Sequence, residues 1–426
     1  MNVYETTQQR IKRIFNEFDN VYVSFSGGKD SGVLLNITCD VARELDKKFT
    51  LLYIDLEGMY KKTIEYIDIM INRNKDVFSD IHYVCLPMLT TNAVSMYEPF
   101  WIFWQPSKKD KWIRPMPEHD YVINMDNHKF PFFSEGMIFE EFILEYAKWQ
   151  SRNEKTACLV GIRTQESLNR WRAIWREDVS RYKNLKYSVK ITENCYNFYP
   201  IFDWKVTDIW TYNGRFNKPY NRLYDMFYQA GVPLHKMRVC EPYGDEQRQG
   251  LNLFKLIEPE TWHRVVDRVS GANFGNIYAK TTAIGENGKI ILPAGHSWKS
   301  YCKFLLSTLP ENTAQIYRRK FLKFIQYWRN EGSPLSDEKI KELEGNNNIE
   351  VTDYYSRRGK GDKLVVKFRS IPDTITGDNK TDMLSWKRMC MAIIKNDVTC
   401  KSLSFSFTKK QLEARKLIME KYKSLL

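Results

Sequence analysis

The N-terminal half of the chain alternates short apolar runs with amphipathic stretches. Ile11, Ile14, Phe15 and Phe18 recur at the spacing of one helix face, and Val21–Ser26 follows as an apolar run of strand length. A glycine turn spans Ser26–Ser31, and the next stretch, to Leu45, predicts a helix carrying Val33, Leu34 and Leu35. Phe49–Asp55 reads as a second strand, Tyr60–Asn74 as a helix with Ile64, Ile67 and Ile71 inward, and Ile81–Leu86 as a third strand. Ile138–Trp149, Thr156–Ile162 and Gln165–Arg176 continue the series as helix, strand and basic helix. Strands and helices alternating at this spacing predict an α/β fold, a doubly wound parallel sheet with right-handed crossovers.

The pattern breaks twice. Met88–Pro131 has no clear period and is rich in Trp, Pro and Met, as in PFWIFWQP at Pro99–Pro106, so it reads as a long insertion beside the active site. Beyond Tyr212 the alternation stops. Three regions are expected: 1–212 for nucleotide binding, 213–310 packed by the active site, and 311–426, basic and mainly helical. Asn330–Lys363 reads as a polar insertion within the last of these.

Composition narrows the class. The 426 residues include 43% hydrophobic and 27% charged residues, as in an ordinary globular chain. No apolar run reaches membrane-spanning length, and Met1–Phe15 lacks the apolar core of a signal peptide, so a cytoplasmic protein without a membrane partner is expected. Eight scattered cysteines with no CxxC pair read as reduced thiols. The net charge of +13 is uneven: residues 311–426 hold 24 Lys+Arg against 15 Asp+Glu. Such a region suits nucleic acid or another polyanion, and equally a solvated basic surface.

The strongest chemical motif is SFSGGKDS, Ser24–Ser31, placed between a predicted strand and a predicted helix. Gly27 and Gly28 remove the Cβ atoms that would keep a phosphate from backbone amides. The helix start offers N–H groups and a partial positive charge. Ser26 and Ser31 add hydroxyls and Lys29 a full charge, while Asp30 either orients an amide or helps hold Mg²⁺. The GxxxxGK[ST] spacing of a Walker A loop is absent.

SGGKDS resembles the PP-loop of the N-type ATP pyrophosphatases, the adenine nucleotide alpha hydrolase-like group. That resemblance implies a turn that holds the pyrophosphate of ATP and cleavage between the α- and β-phosphates. It places Asp55, at the end of YIDLE, near ribose or adenine, although a strand-end carboxylate is an equally good reading. Gly161, Arg163, Glu166, Ser167 and Arg170 resemble the G-x-R-x-x-E-S-x-x-R pattern of phosphoadenosine-phosphosulfate reductases and ATP-sulfurylase small subunits. On one helix face, Arg163 and Arg170 would clamp a sulfate or phosphate; otherwise they belong to a salt-bridged surface. The tryptophans of IFDWKVTDIW, from Ile201 to Trp210, read as core. Segments such as YNRLYDMFYQAGVPLHKMRVCEPYGDEQRQGL and SWKRMCMAIIKND resemble the reductase-like proteins named after immunoglobulin-binding regulator A. That subgroup implies a link to transcription and a ParB/sulfiredoxin-like partner.

The pattern departs from a working reductase. No Glu-Cys-Gly-x-His segment is present, and the paired cysteines of an iron–sulfur form are missing, so no such cluster is expected. His235 with Cys240 and His296 with Cys302 match no common zinc spacing. Arg238 and Asp245–Arg248 read either as nucleotide-positioning groups or as a helix start. The expected ligand is therefore ATP or a phosphoadenosine-phosphosulfate-like nucleotide with Mg²⁺. The expected chemistry is adenylation of an acceptor by Lys29, Asp30 and Arg163, with a DNA-associated regulator lacking turnover as the alternative.

Overall fold

A computed structural model describes residues 2–95, 97–152, 154–175, 179–239, 251–272, 292–335, 337–344, 349–355, 364–375 and 383–403. The described residues fall into two compact units, one from 1–90 and 101–269, the other from 91–100 and 270 onward. Residues 213–269 thus belong to the same unit as the alternating N-terminal segment.

The first unit is an α/β sheet. Its strands are β1 (Asn20–Ser24), β2 (Phe49–Ile54), β3 (Phe78–Val84), β6 (Val122–Ile123), β7 (Thr156–Val160), β8 (Ser188–Lys190) and β9 (Cys195–Phe198); the short strands β4 (Leu89–Thr91) and β5 (Phe100–Ile102) stand outside it. The order is β6-β3-β2-β1-β7-β9-β8. All pairings are parallel except β8 with β9. Val21, Val23, Leu51, Leu159 and Tyr83 are buried, which explains why these strands read as continuous apolar runs. The chain winds outward from β1 through β2, β3 and β6, then returns to β1's other side with β7. Strand order therefore reverses between β1 and β7, and the crevice beyond their carboxyl ends is where such sheets bind ligands.

Helices cover the sheet. They include α1 (Val3–Glu17), α2 (Lys29–Glu44), α3 (Lys61–Arg73), α4 (Phe139–Ser151), α5 (Leu168–Trp175), α6 (Val206–Arg215), α7 (Leu223–Gln229), α8 (Leu251–Ile257) and α9 (Pro259–Arg268). Asn2 caps α1 through a capping box with Glu5. By contrast α2, which is buried along most of its length, has Gly28 at its N-cap and no side-chain cap.

The predicted basic helix starts later than the periodicity suggested. Residues 161–167 are irregular, and α5 begins at Leu168, with the Arg170 amide donating to Ser167 Oγ at 3.2 Å. Arg163, Glu166 and Arg170 therefore do not share a helix face. The hydroxyl of Ser167 competes for the first-turn amide and sets the later start. Arg176, the predicted end of that helix, lies outside the described residues.

The second unit has its own core of Trp298, Cys302, Tyr317, Phe321, Phe324 and their neighbours. Its helices α10 (Trp298–Thr308), α11 (Glu311–Gln326), α12 (Asp337–Glu344) and α13 (Trp386–Ile394) accompany a three-stranded sheet. That sheet is antiparallel, with β10 (Ser333–Pro334), β12 (Leu364–Phe368) and β11 (Ile349–Tyr355) in that order. No described helix is long and apolar enough to cross a membrane. The seven described cysteines are free and buried, and Cys240 lies outside the described residues.

Candidate functional site

The turn between β1 and α2 is shaped by its glycines and serines. Gly27 has φ +73°, and a Cβ there would lie 2.8 Å from Thr63 Cγ2, so only glycine fits. Ser26 Oγ and Ser31 Oγ are 2.9 Å apart, and Ser31 Oγ donates to the Gly28 carbonyl at 3.2 Å, tying the turn to itself. Ser24 ends β1 in register with Leu52 and Val160.

The neighbouring strand closes on this turn. Gly161 follows β7 so closely that a Cβ would fall 2.7 Å from Ser31 Cα. The next side chain but one, Arg163, reaches Asp30. Its Nε donates to Asp30 Oδ1, while Lys29 Nζ stands 3.1 Å from Asp30 Oδ2. All three are buried: Lys29 is 5%, Asp30 6% and Arg163 3% exposed. Asp30 is thus the carboxylate shared by two cations, which makes burying them tolerable.

The segment after the sheet covers the turn. Tyr224 Oη accepts the Lys29 amide at 2.9 Å, at the uncapped start of α2. Asn221 Nδ2 donates to the Gly27 carbonyl at 3.0 Å, and Lys29 Nζ donates to the Met237 carbonyl at 3.2 Å. Arg238 Nη2 donates to the Glu166 carbonyl at 2.9 Å. Burial pushes the Glu166 carboxyl above its ordinary range, with Asp30 adding to the rise and Arg170 and Arg163 opposing it. Arg170 stands apart from the centre, half-exposed, with its Nε 3.9 Å from Glu166 Oε2. Together Lys29, Arg163, Glu166, Met237 and Arg238 bound a cavity of about 120 Å³. That space suits a phosphate and is below the roughly 300 Å³ of a small-molecule pocket.

Both Asp30 oxygens are taken, by Arg163 and by Lys29, so Glu166 is the carboxylate on the cavity wall that is left to meet a divalent cation. Asp55 is elsewhere. It is fully buried, and its oxygens accept from Arg114 Nη2, from Tyr83 Oη at 2.9 Å and from the Glu57 amide at 2.9 Å. Among the described residues no three His, Cys, Asp or Glu side chains gather as a metal site. Asp245–Arg248 lie outside the described residues. Trp204 is core, with Nε1 donating to Thr7 Oγ1 at 2.9 Å.

The phosphoadenosine phosphosulfate reductase domain family matches residues 20–230, and a domain of unknown function, DUF3440, matches residues 231–414. The curated Escherichia coli (strain K12) protein YbdN, described as uncharacterized, is 37% identical over 413 residues, 96% of this chain and 92% of YbdN. The chain belongs to the YbdN family. Its first half carries the reductase-like PP-loop domain. Two solved structures also resemble it. One is the phosphoadenylyl-sulfate reductase of Candida auris in a phosphate complex, at 14% identity and TM-score 0.30, covering 52% of this chain and 84% of that one. The other is the FMN adenylyltransferase of Candida glabrata in complex with ATP, at 16% identity and TM-score 0.30, covering 52% and 57%.

Sequence reasoning reached Lys29, Asp30, Gly161, Arg163 and Glu166, which meet in one place, and Arg238 beside them. It missed Tyr224 and Asn221. The only signal for them was the polar interruption YNRLY before an apolar helix, because their partners are far away in sequence.

Proposed function

We propose that the chain binds ATP or a related adenine nucleotide at the β1–α2 turn and transfers its adenylyl group to an acceptor. The observation that carries this reading is the convergence of Lys29, Arg163 and Glu166 on one cavity beside the start of α2, at the strand-order switch. An acceptor heteroatom attacks the α-phosphorus, and the bond to the bridging oxygen of the β-phosphate breaks. The electron pair leaves on pyrophosphate. Lys29 and the α2 amides offset the charge that develops there, and Arg163 orients the adjacent phosphate. Arg170, nearer the surface, meets a second anionic group. Mg²⁺ beside Glu166 would screen the phosphate charge.

The site is closed around its own groups, so nucleotide entry displaces the Lys29–Met237 contact and the Tyr224 hydroxyl from the Lys29 amide. The experiment is pyrophosphate release from ATP by purified protein, with candidate acceptors including nucleic acid. Release that disappears in Lys29→Ala and Arg163→Ala is expected. Release unchanged in both variants contradicts the reading.

The same self-satisfied geometry favours a second reading, nucleotide binding without turnover. The chain would then belong to the immunoglobulin-binding regulator A subgroup, as a DNA-associated regulator in the cytoplasm with a ParB/sulfiredoxin-like partner. The basic excess in residues 311–426 is its motive. DNA affinity that falls steeply with salt, and falls further on neutralising those lysines and arginines, would support it.

A further inference from the structure

The tryptophan-rich insertion is built around a second cavity, of about 780 Å³, at the carboxyl ends of β3 and β6. Cys85, just after β3, lines it with Trp104, Trp112, Arg114 and Met116. This volume falls within the roughly 300–1,000 Å³ of small-molecule sites, which the phosphate cavity does not reach.

The insertion is pinned there by two fully buried carboxylates on the loop after β2. Glu57 accepts from the Trp104 amide at 2.6 Å, the Ile113 amide at 3.1 Å, and Arg268 Nε at 2.9 Å. Asp55 pairs with Arg114, and its carbonyl accepts from Trp104 Nε1 at 2.9 Å. The shared result of these contacts is a fixed position for Trp104, Ile113 and Arg114. Trp104 takes a left-handed conformation, φ +52°, and stands edge-on to Trp112 with ring centroids 5.0 Å apart.

The chemistry of the walls indicates the occupant. Trp112 is half-buried and offers an aromatic surface. The exposed Lys109 lies with Nζ 5.9 Å from the Trp112 ring centroid, and exposed Arg264 reaches the Trp112 carbonyl at 3.4 Å. Both cations line the cavity; so do Glu118 and Asp126, while Arg114 is already neutralised by Asp55. Lys109 and Arg264 both stand against Trp112 itself, so that end of the cavity suits a flat anion.

We propose that this cavity binds a second ligand, a planar aromatic ring carrying negative charge, stacked on Trp112 and paired with Lys109 and Arg264. The inference stands apart from the adenylation reading, because it requires no reaction and no contact with Lys29. The two cavities nevertheless share one rim: β3 is two strands from β1, about 10 Å at the usual strand spacing.

Titration of the full chain with CMP, UMP, 4-hydroxybenzoate and inorganic pyrophosphate, followed by calorimetry and tryptophan fluorescence, tests it. The nucleotides and the benzoate distinguish a base-bearing ligand from a simple aromatic acid. At least one of the three should bind. Its affinity should fall tenfold or more in Trp112→Ala and in the surface double variant Lys109→Glu/Arg264→Glu, and stay unchanged in Lys29→Ala. Pyrophosphate should show the opposite dependence. Failure of all three planar anions to bind overturns the proposal, as does affinity retained in the double variant. Binding of a planar anion that is lost in Lys29→Ala also overturns it, because the cavity would then be one end of the phosphate site. Loss of pyrophosphate binding alone would count against the adenine-nucleotide reading and leave this one standing.

Discussion

At the residue scale the site turns on Asp30, which takes charge from both Lys29 and Arg163 within a buried cluster. Arg163→Ala leaves that carboxylate with Lys29 alone. Removing one partner of a buried pair costs about 3–5 kcal/mol, and the low end is expected here because Lys29 remains. Denaturant titration should show that loss, and a change below about 1 kcal/mol would mean that Asp30 is not held as described. Tyr224→Phe makes the opposite kind of prediction. It frees the Lys29 amide without removing the ring, so ATP should bind about 2–10-fold more tightly, the value of one hydrogen bond. Weaker binding would mean that the hydroxyl assists the nucleotide. Lys29, Asp30 and Arg163 were legible in the sequence because each sits in a short motif next to a strand end. Tyr224 was not, since the contact that gives it meaning spans 195 positions. Asp55 was legible as a special residue, but its partners Arg114 and Tyr83 come from an aperiodic insertion and another strand.

At the element scale the closest approach is β7 against α2. Gly161→Ala would drive a Cβ into the backbone of Ser31 rather than into a flexible side chain. A cost of about 3 kcal/mol is expected, with ATP binding lost together with stability. Full stability and binding in that variant would contradict the placement of the two elements. A second element-scale prediction concerns β3 and α4. His82 is buried, with Nδ1 2.6 Å from Tyr146 Oη and Nε2 2.8 Å from Asp80 Oδ2. Burial lowers its pKa below the ordinary 6.5, and Asp80 only partly restores it. Below pH 6.5 the unfolded chain therefore binds protons that the folded chain does not, and stability falls as the pH drops through that window. Melting temperatures from pH 7 to 5.5 should decline less in His82→Gln than in the parent; equal slopes would reject the assignment. Apolar strands and amphipathic helices of the sheet were readable from periodicity alone. The sheet of β10, β12 and β11 was not: β10 is two residues long, and β11 interleaves Glu350 and Asp353 with its apolar positions. The start of α5 was misread because a serine hydroxyl, not the hydrophobic period, sets it.

At the scale of the whole molecule the chain has two compact units, each with buried residues of its own. Such chains depart from two-state unfolding. Calorimetry should resolve more than one transition, and ATP should raise the one belonging to the sheet unit by mass action while leaving the other in place. A single transition that moves as a whole would show that the units unfold together. The division was only partly legible, because residues 213–269 carry no alternating pattern yet pack with the sheet unit, where Tyr224 and Met237 bond to Lys29 and Arg238 to Glu166. Of the net charge of +13, residues 311–426 carry +9 and the remaining residues +4. The central claim is that the turn from Ser26 to Ser31 is an adenine-nucleotide site. Calorimetric titration of the full chain with ATP and Mg²⁺, beside Lys29→Ala, tests it most directly. Saturable one-to-one binding that is lost in the variant is the predicted result; no binding by the parent chain, or equal affinity in both proteins, would contradict it.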